Sequence, residues 1–134
     1  MNKLNCYPDN YIYPAIFTYY DDGEIGVTFP DLPGCVGQGS VRLDALSMAD
    51  EGLRLHLYGM EEDGDVIPPP TPPGQIVVEL DEDDIGVVKT EVVLIEVYMP
   101  PVREHFRAYN DAQSACAAQY AERHTEKNIH LQEN

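Results

Sequence analysis

Basic residues are scarce in this chain: 8 Lys and Arg stand against 24 Asp and Glu, for a formal net charge of −16. Non-specific binding to nucleic acid rests on Lys and Arg neutralising phosphates, so the composition argues against it. Tryptophan is absent, and the three cysteines, Cys6, Cys35 and Cys116, are odd in number and form no CxxC pair. They fit reduced thiols in a cytosolic protein better than a disulfide framework. No apolar run approaches the length of a membrane span. The stretch Met1 to Pro8 lacks the apolar core of a signal peptide. The expectation is a cytoplasmic protein that spans no membrane.

What is present is enough apolar material for a core. With 134 residues, 43% of them hydrophobic, the chain is expected to form one domain with an appendage. Residues 1–100 hold 19 acidic and 4 basic side chains, while residues 101–134 hold 5 and 4. The acidity thus belongs to a globular part at 1–100, and a nearly neutral tail follows at 101–134. An acidic surface favours a basic partner, because complementary fields speed encounter. It also serves plain solubility.

Period-two alternation from Tyr13 to Tyr20 predicts a strand. Pro14 lacks an amide hydrogen and belongs at that strand's start or on an edge. Asp22-Gly23 supplies a tight turn, and Ile25, Val27 and Phe29 line one face of the returning strand. A third short strand is expected at Cys35 to Gln38, completing an antiparallel meander. Ser40 is the expected helix cap, with Asp44 in the first turn. Leu46, Ala49, Leu53, Leu57 and Met60 form an apolar stripe at helical spacing. Gly52 beside it permits close approach to the sheet, and Gly64 ends the helix in the left-handed conformation. A stiff strap follows at Pro68 to Gly74. Two more strands are predicted, Gln75 to Leu80 and Thr90 to Met99, the second central at its start and near an edge later. From Val102 onward the pattern is helical. The fold class is therefore α+β: a small antiparallel sheet with a helix on one face, plus a C-terminal helix.

No catalytic constellation emerges. Counted as a calcium loop from Asp81, position 5 is Ile85 and position 12 is Val92, so the ligand pattern fails. Four adjacent acids cannot converge on two metal ions as a nuclease requires. His56, His105, His124 and His130 make no ligand pair at helical spacing. Gly34, Gly37 and Gly39 are not followed by Lys-Ser/Thr and serve turns and close packing instead. No cofactor, metal or catalytic residue is expected, and the chain does not read as an enzyme.

Four segments in order carry a resemblance. Tyr13-Pro14-Ala15-Ile16-Phe17 is the first, and Thr28-Phe29-Pro30-Asp31-Leu32-Pro33-Gly34-Cys35 is the most recognisable. Gly39-Ser40 with Asp44-Ala45-Leu46, and Glu62-Asp63-Gly64 with Ile67-Pro68-Pro69-Pro70, complete the set. Together they resemble the N-terminal half of HicB-type antitoxins over about Tyr13 to Pro70. The resemblance implies a partial ribonuclease-H-like arrangement in the order β-β-β-α-β. It also implies a partner, a small basic HicA-like ribonuclease toxin whose catalytic His and RNA-binding surface the antitoxin masks. Candidate toxin contacts are Asp21, Asp22, Glu24 and Asp31.

Many family members end in a ribbon-helix-helix or helix-turn-helix segment that dimerises and binds operator DNA. Here Arg103, Arg107, Arg123 and Lys127 are scattered, and no short β-prone run stands ready for a DNA groove. Val102, Phe106, Tyr109, Cys116 and Tyr120 form a helical stripe that packs either on the chain's own sheet or on a second subunit, giving a homodimer or tetramer. Two alternatives stay open: a DNA-binding repressor of its own operon, and a degenerate metal-dependent nuclease.

Overall fold

The alternating run around Tyr13 builds the centre of the sheet. The computed structural model describes residues 6–112, and in it this run forms β1 (Asn10–Tyr20), longer at its start than the pattern suggested. β2 (Ile25–Thr28) returns antiparallel, pairing Phe17 with Val27 and Tyr19 with Ile25. β3 (Val36–Gly39) continues the meander, pairing Val27 with Gly37. α1 (Arg42–Asp63) follows, then β4 (Val87–Tyr98), which runs antiparallel to β1. The strand order is β3-β2-β1-β4. Residues 99–112 are helical and form α2. The described residues divide into two compact units, one ending at Met99 and the other beginning at Pro100. Among them, no helix is long and apolar enough to cross a membrane.

Alternation along β1 sends Tyr11, Tyr13, Ala15 and Phe17 to the helix-covered face. Ile25, Val27, Ile95 and Val97 join them there, and Ala45, Ala49, Leu53 and Leu57 are the buried positions of α1 among the apolar residues of its stripe. Each fully buried Leu or Phe contributes roughly 1.5–3 kcal/mol. Glycine permits the close fit. A Cβ at Gly39 would lie 2.5 Å from the Ala45 nitrogen, and one at Gly52 would lie 3.3 Å from the Val36 oxygen.

The Phe29-to-Cys35 segment works as structure. Phe29 and Cys35 are bonded across it through Phe29 N–H to the Cys35 carbonyl at 3.2 Å, and Leu32 bonds to both, at 3.0 Å each. Gly34 takes φ 91°, in the left-handed region. Phe29, Leu32 and Cys35 are buried, and burial pushes the Cys35 thiol up to about 11.

Several expectations are corrected. The helix cap is Val41, not Ser40: Val41 is extended, with φ −134° and ψ 162°, and caps without a side-chain bond. The tight contact of Gly39 with Ala45 carries the chain past Ser40 before the first helical bond, Ala45 N–H to the Val41 carbonyl, can close. The buried stripe starts at Ala45, while Leu46 and Met60 are half-buried. Gln75 to Leu80 is not a strand. Pro73–Gln75 is a 3-10 turn, and the chain beyond it joins no sheet edge, with Val77 and Leu80 exposed. β4 is an edge strand along its whole length, because β1 is its one partner in the sheet. Leu94 and Tyr98 stand more than half exposed on the face away from α1.

Pro14 lies inside β1, yet pairing with β2 ends at Ile16–Thr28. At position 14, β1 thus has β4 on one side and no sheet neighbour on the other. The missing amide hydrogen is tolerated at that local edge.

Candidate functional site

The β1–β2 turn is the first part of the site. Gly23 takes φ 93°, which lets Tyr20 and Glu24 close the hairpin through Tyr20 N–H to the Glu24 carbonyl at 2.9 Å. Asp22 stabilises the turn by accepting the Glu24 amide at 2.9 Å, and Gln38 donates to Glu24 at 3.0 Å from β3. Asp21 and Asp22 are exposed, and Glu24 is half-buried.

The second part arrives from far along the chain. The Asp21 N–H donates to the Gly86 carbonyl at 2.8 Å, and Tyr20 pairs with Val87. Gly86 has φ 82°, and a Cβ there would fall 2.7 Å from an Asp21 carboxylate oxygen. This glycine is needed twice, for its conformation and for the close approach. The contact brings the loop of Asp81, Glu82, Asp83 and Asp84 to the same end of the sheet as Asp21, Asp22 and Glu24. That loop folds on itself through the Asp81 N–H donating to Asp84 at 2.6 Å.

The cations nearest this end are engaged elsewhere. Arg42 pairs with Glu91 at 3.0 Å, and Tyr19 donates to Glu91 at 2.6 Å. The Tyr19 hydrogen bond, reinforced by Arg42, holds the Glu91 carboxyl below the usual carboxylate range. Lys89 sits 4.5 Å from the Tyr19 ring centroid. Among the described residues, no Lys or Arg is in ion-pair range of Asp21, Asp22 or Glu24. Nor do three His, Cys, Asp or Glu side chains converge there to hold a metal ion. The acids present a field, not a chelating set.

Asp31, the fourth candidate contact, lies at the opposite end. It accepts the Thr71 N–H at 2.8 Å and the Thr71 hydroxyl at 2.6 Å, holding the Pro-rich strap. Tyr13 donates its hydroxyl to the Pro68 carbonyl nearby. Burial, and then the Asp31 charge, push the Tyr13 hydroxyl above its ordinary value. The structure therefore brings three of the four residues together and employs Asp31 as a fastener.

In α2, Val102 is buried, Phe106 half-buried and Tyr109 exposed. Cys116 and Tyr120 lie outside the described residues. Sequence reasoning missed the recruitment of the 81–84 loop. A glycine next to four acids was the one trace of it, and nothing in the pattern said which turn it would meet.

Comparison with known proteins completes the picture. A family model described as "HicB_like antitoxin of bacterial toxin-antitoxin system" matches residues 13–126. A 14.9 kDa protein from the rep-hol intergenic region of Haemophilus phage HP1 is 31% identical over 62% of this chain and 62% of its own length. Antitoxin HicB 1 of Photorhabdus laumondii is 37% identical over 53% of this chain and 46% of its own length. The chain thus spans less than two thirds of the length of either relative. Among solved structures, a toxin-antitoxin complex from Streptococcus pneumoniae matches with a TM-score of 0.59 and 25% identity, covering 72% of each chain.

Proposed function

The chain belongs to the HicB-like antitoxin family, and from that premise we propose that it neutralises a small basic RNA-cutting toxin through the acidic end of its sheet. The observation that carries this reading is the Asp21–Gly86 hydrogen bond. It joins two acidic segments, 21–24 and 81–84, that are distant in sequence. An anionic surface competes for the basic groove that would otherwise hold RNA phosphates, and it masks the toxin's catalytic His by covering it. Its long-range field speeds encounter with a basic partner and repels acidic ones.

On this reading, residues 1–100 are the toxin-binding domain and act in the cytoplasm. Residues 101–134 serve self-association, through Phe106, Tyr109, Cys116 and Tyr120, while Val102 is already buried within the chain. The test is co-expression with a small basic ribonuclease toxin from the same source. Growth is expected to be restored and the two chains to co-purify. Continued growth arrest with no co-purified toxin would overturn the reading.

A further inference from the structure

β4 spends only half of its backbone groups on β1. In an antiparallel pair, opposed residues alternate between exchanging hydrogen bonds and exchanging none. The phase is set at the strap end, where the Met99 N–H donates to the Asp9 carbonyl at 2.7 Å. Counted back along the register, Ile95 opposite Tyr13 and Val93 opposite Ala15 share that bonded phase. Leu94 falls in the other phase, opposite Pro14, which has no N–H to give. The N–H and C=O groups of Val92, Leu94 and Glu96 therefore point away from β1, and among the described residues no further strand pairs with β4.

A row of outward amides is a template for another strand, and edges are ordinarily blunted by shortness, proline or lysine. β4 is 12 residues long, and its middle, Val92-Val93-Leu94-Ile95, has neither proline nor charge. Leu94 is 53% exposed there.

We propose that β4 pairs antiparallel with β4 of a second copy about a twofold axis at Val93, joining the two four-stranded sheets into one. The side chains select this occupant and this register. A twofold axis at Val93 sets Val92 opposite the second copy's Leu94, and Thr90 opposite its Glu96. Apolar meets apolar and hydroxyl meets carboxylate, and no two charged side chains stand opposite each other. An axis one residue on, at Leu94, would set Val92 against Glu96 instead. The net charge of −16 does not oppose this seam, because of where the acids lie. Antiparallel pairing sends the two acidic turn ends in opposite directions. Position 87 is six residues from the axis, so the two copies' turn ends lie about 40 Å apart, several times the Debye length of about 8 Å at physiological salt. A basic partner gains nothing at an uncharged seam, whereas a second copy offers the same outward amides and the same apolar row. This seam does not depend on toxin binding, and it is separate from the tail stripe.

The test places a thiol on the axis of the full chain. Val93 on one copy would face Val93 on the other at a Cα separation of about 4.5 Å, within disulfide range. Under mild oxidation with diamide, Val93→Cys is expected to form a disulfide between the two introduced thiols, mapped by mass spectrometry. It should form at least tenfold faster than for Glu62→Cys, an exposed position on α1. Adding Leu94→Lys, an exposed change that puts like charges across the seam, should return the rate to that of the Glu62→Cys control. Circular dichroism checks that each variant is folded. A Val93→Cys rate no faster than the control, or one that Leu94→Lys leaves unchanged, would overturn the proposal. A dimer seen by sedimentation without the Val93→Cys cross-link would do the same and leave self-association to the tail.

Discussion

The two ends of the sheet use the same residue types for opposite purposes. At the strap end, Asp31 accepts two hydrogen bonds from Thr71, and the buried Glu61 accepts one from Tyr11. At the turn end, Asp21 and Asp22 are exposed, and no Lys or Arg among the described residues comes within ion-pair range. A carboxylate becomes structural when burial removes water and a donor replaces it. It stays available to a partner when water remains its main neighbour. Acidity alone therefore does not mark a binding residue; the environment does.

Charge reversal at the turn should separate these roles most strongly. Asp21→Lys, Asp22→Lys and Glu24→Lys together are expected to weaken binding of a catalytically inactivated toxin about 100-fold, on the order of 2.7 kcal/mol. Titration calorimetry measures this, and urea unfolding of the same variant should shift by only about 1 kcal/mol, from the hydrogen bonds that Asp22 and Glu24 accept at the turn. Asp31→Ala should do the reverse. It strips two donors of their acceptor and should cost about 1–3 kcal/mol in urea unfolding, with toxin affinity retained. Equal loss of affinity from both variants would erase the distinction between the ends.

Gly86→Ala probes the joint itself. The left-handed conformation and the crowding against Asp21 should cost about 1 kcal/mol or more. If the joint positions the 81–84 acids, toxin affinity should fall as well; a variant that loses stability but keeps full affinity would separate the loop from the site.

The smallest effect is expected from Arg42→Met at neutral pH, since its pair with Glu91 is exposed and screened by solvent. The sign with pH follows from Glu91, whose folded carboxyl titrates lower than its unfolded one. The contribution is present above the unfolded value, about 4.3 for a glutamate. It is lost as pH falls through the folded value, so below that the variant and parent should unfold alike.

Much of the fold was legible because it rests on local rules. The meander, Gly23 and Gly64 at their turns, and the Ala49, Leu53 and Leu57 stripe all follow from periodicity and backbone sterics. The misreadings have physical causes too. Gln75 to Leu80 has a strand's composition but pairs with no strand of the sheet, and β propensity is realised only against a partner strand. Ser40 has a cap's chemistry, but the close packing of Gly39 on Ala45 moved the cap to Val41. The site was half legible: Asp21, Asp22 and Glu24 share one turn, so adjacency in sequence placed them together. Asp31 was grouped with them by charge alone, and no local pattern foretold its hydrogen bonds from Thr71.

The sequence by itself determined the family, the α+β order of elements and the excess of negative charge, since each depends on residue type and spacing along the chain. Tertiary structure decided where that charge lies. β4 pairs with the outer side of β1, and that pairing carries Gly86 to Asp21 across 65 residues of chain, joining two acidic segments into one surface. Long-range register of this kind is set by which side chains of the two strands meet on the buried face, which no local pattern encodes.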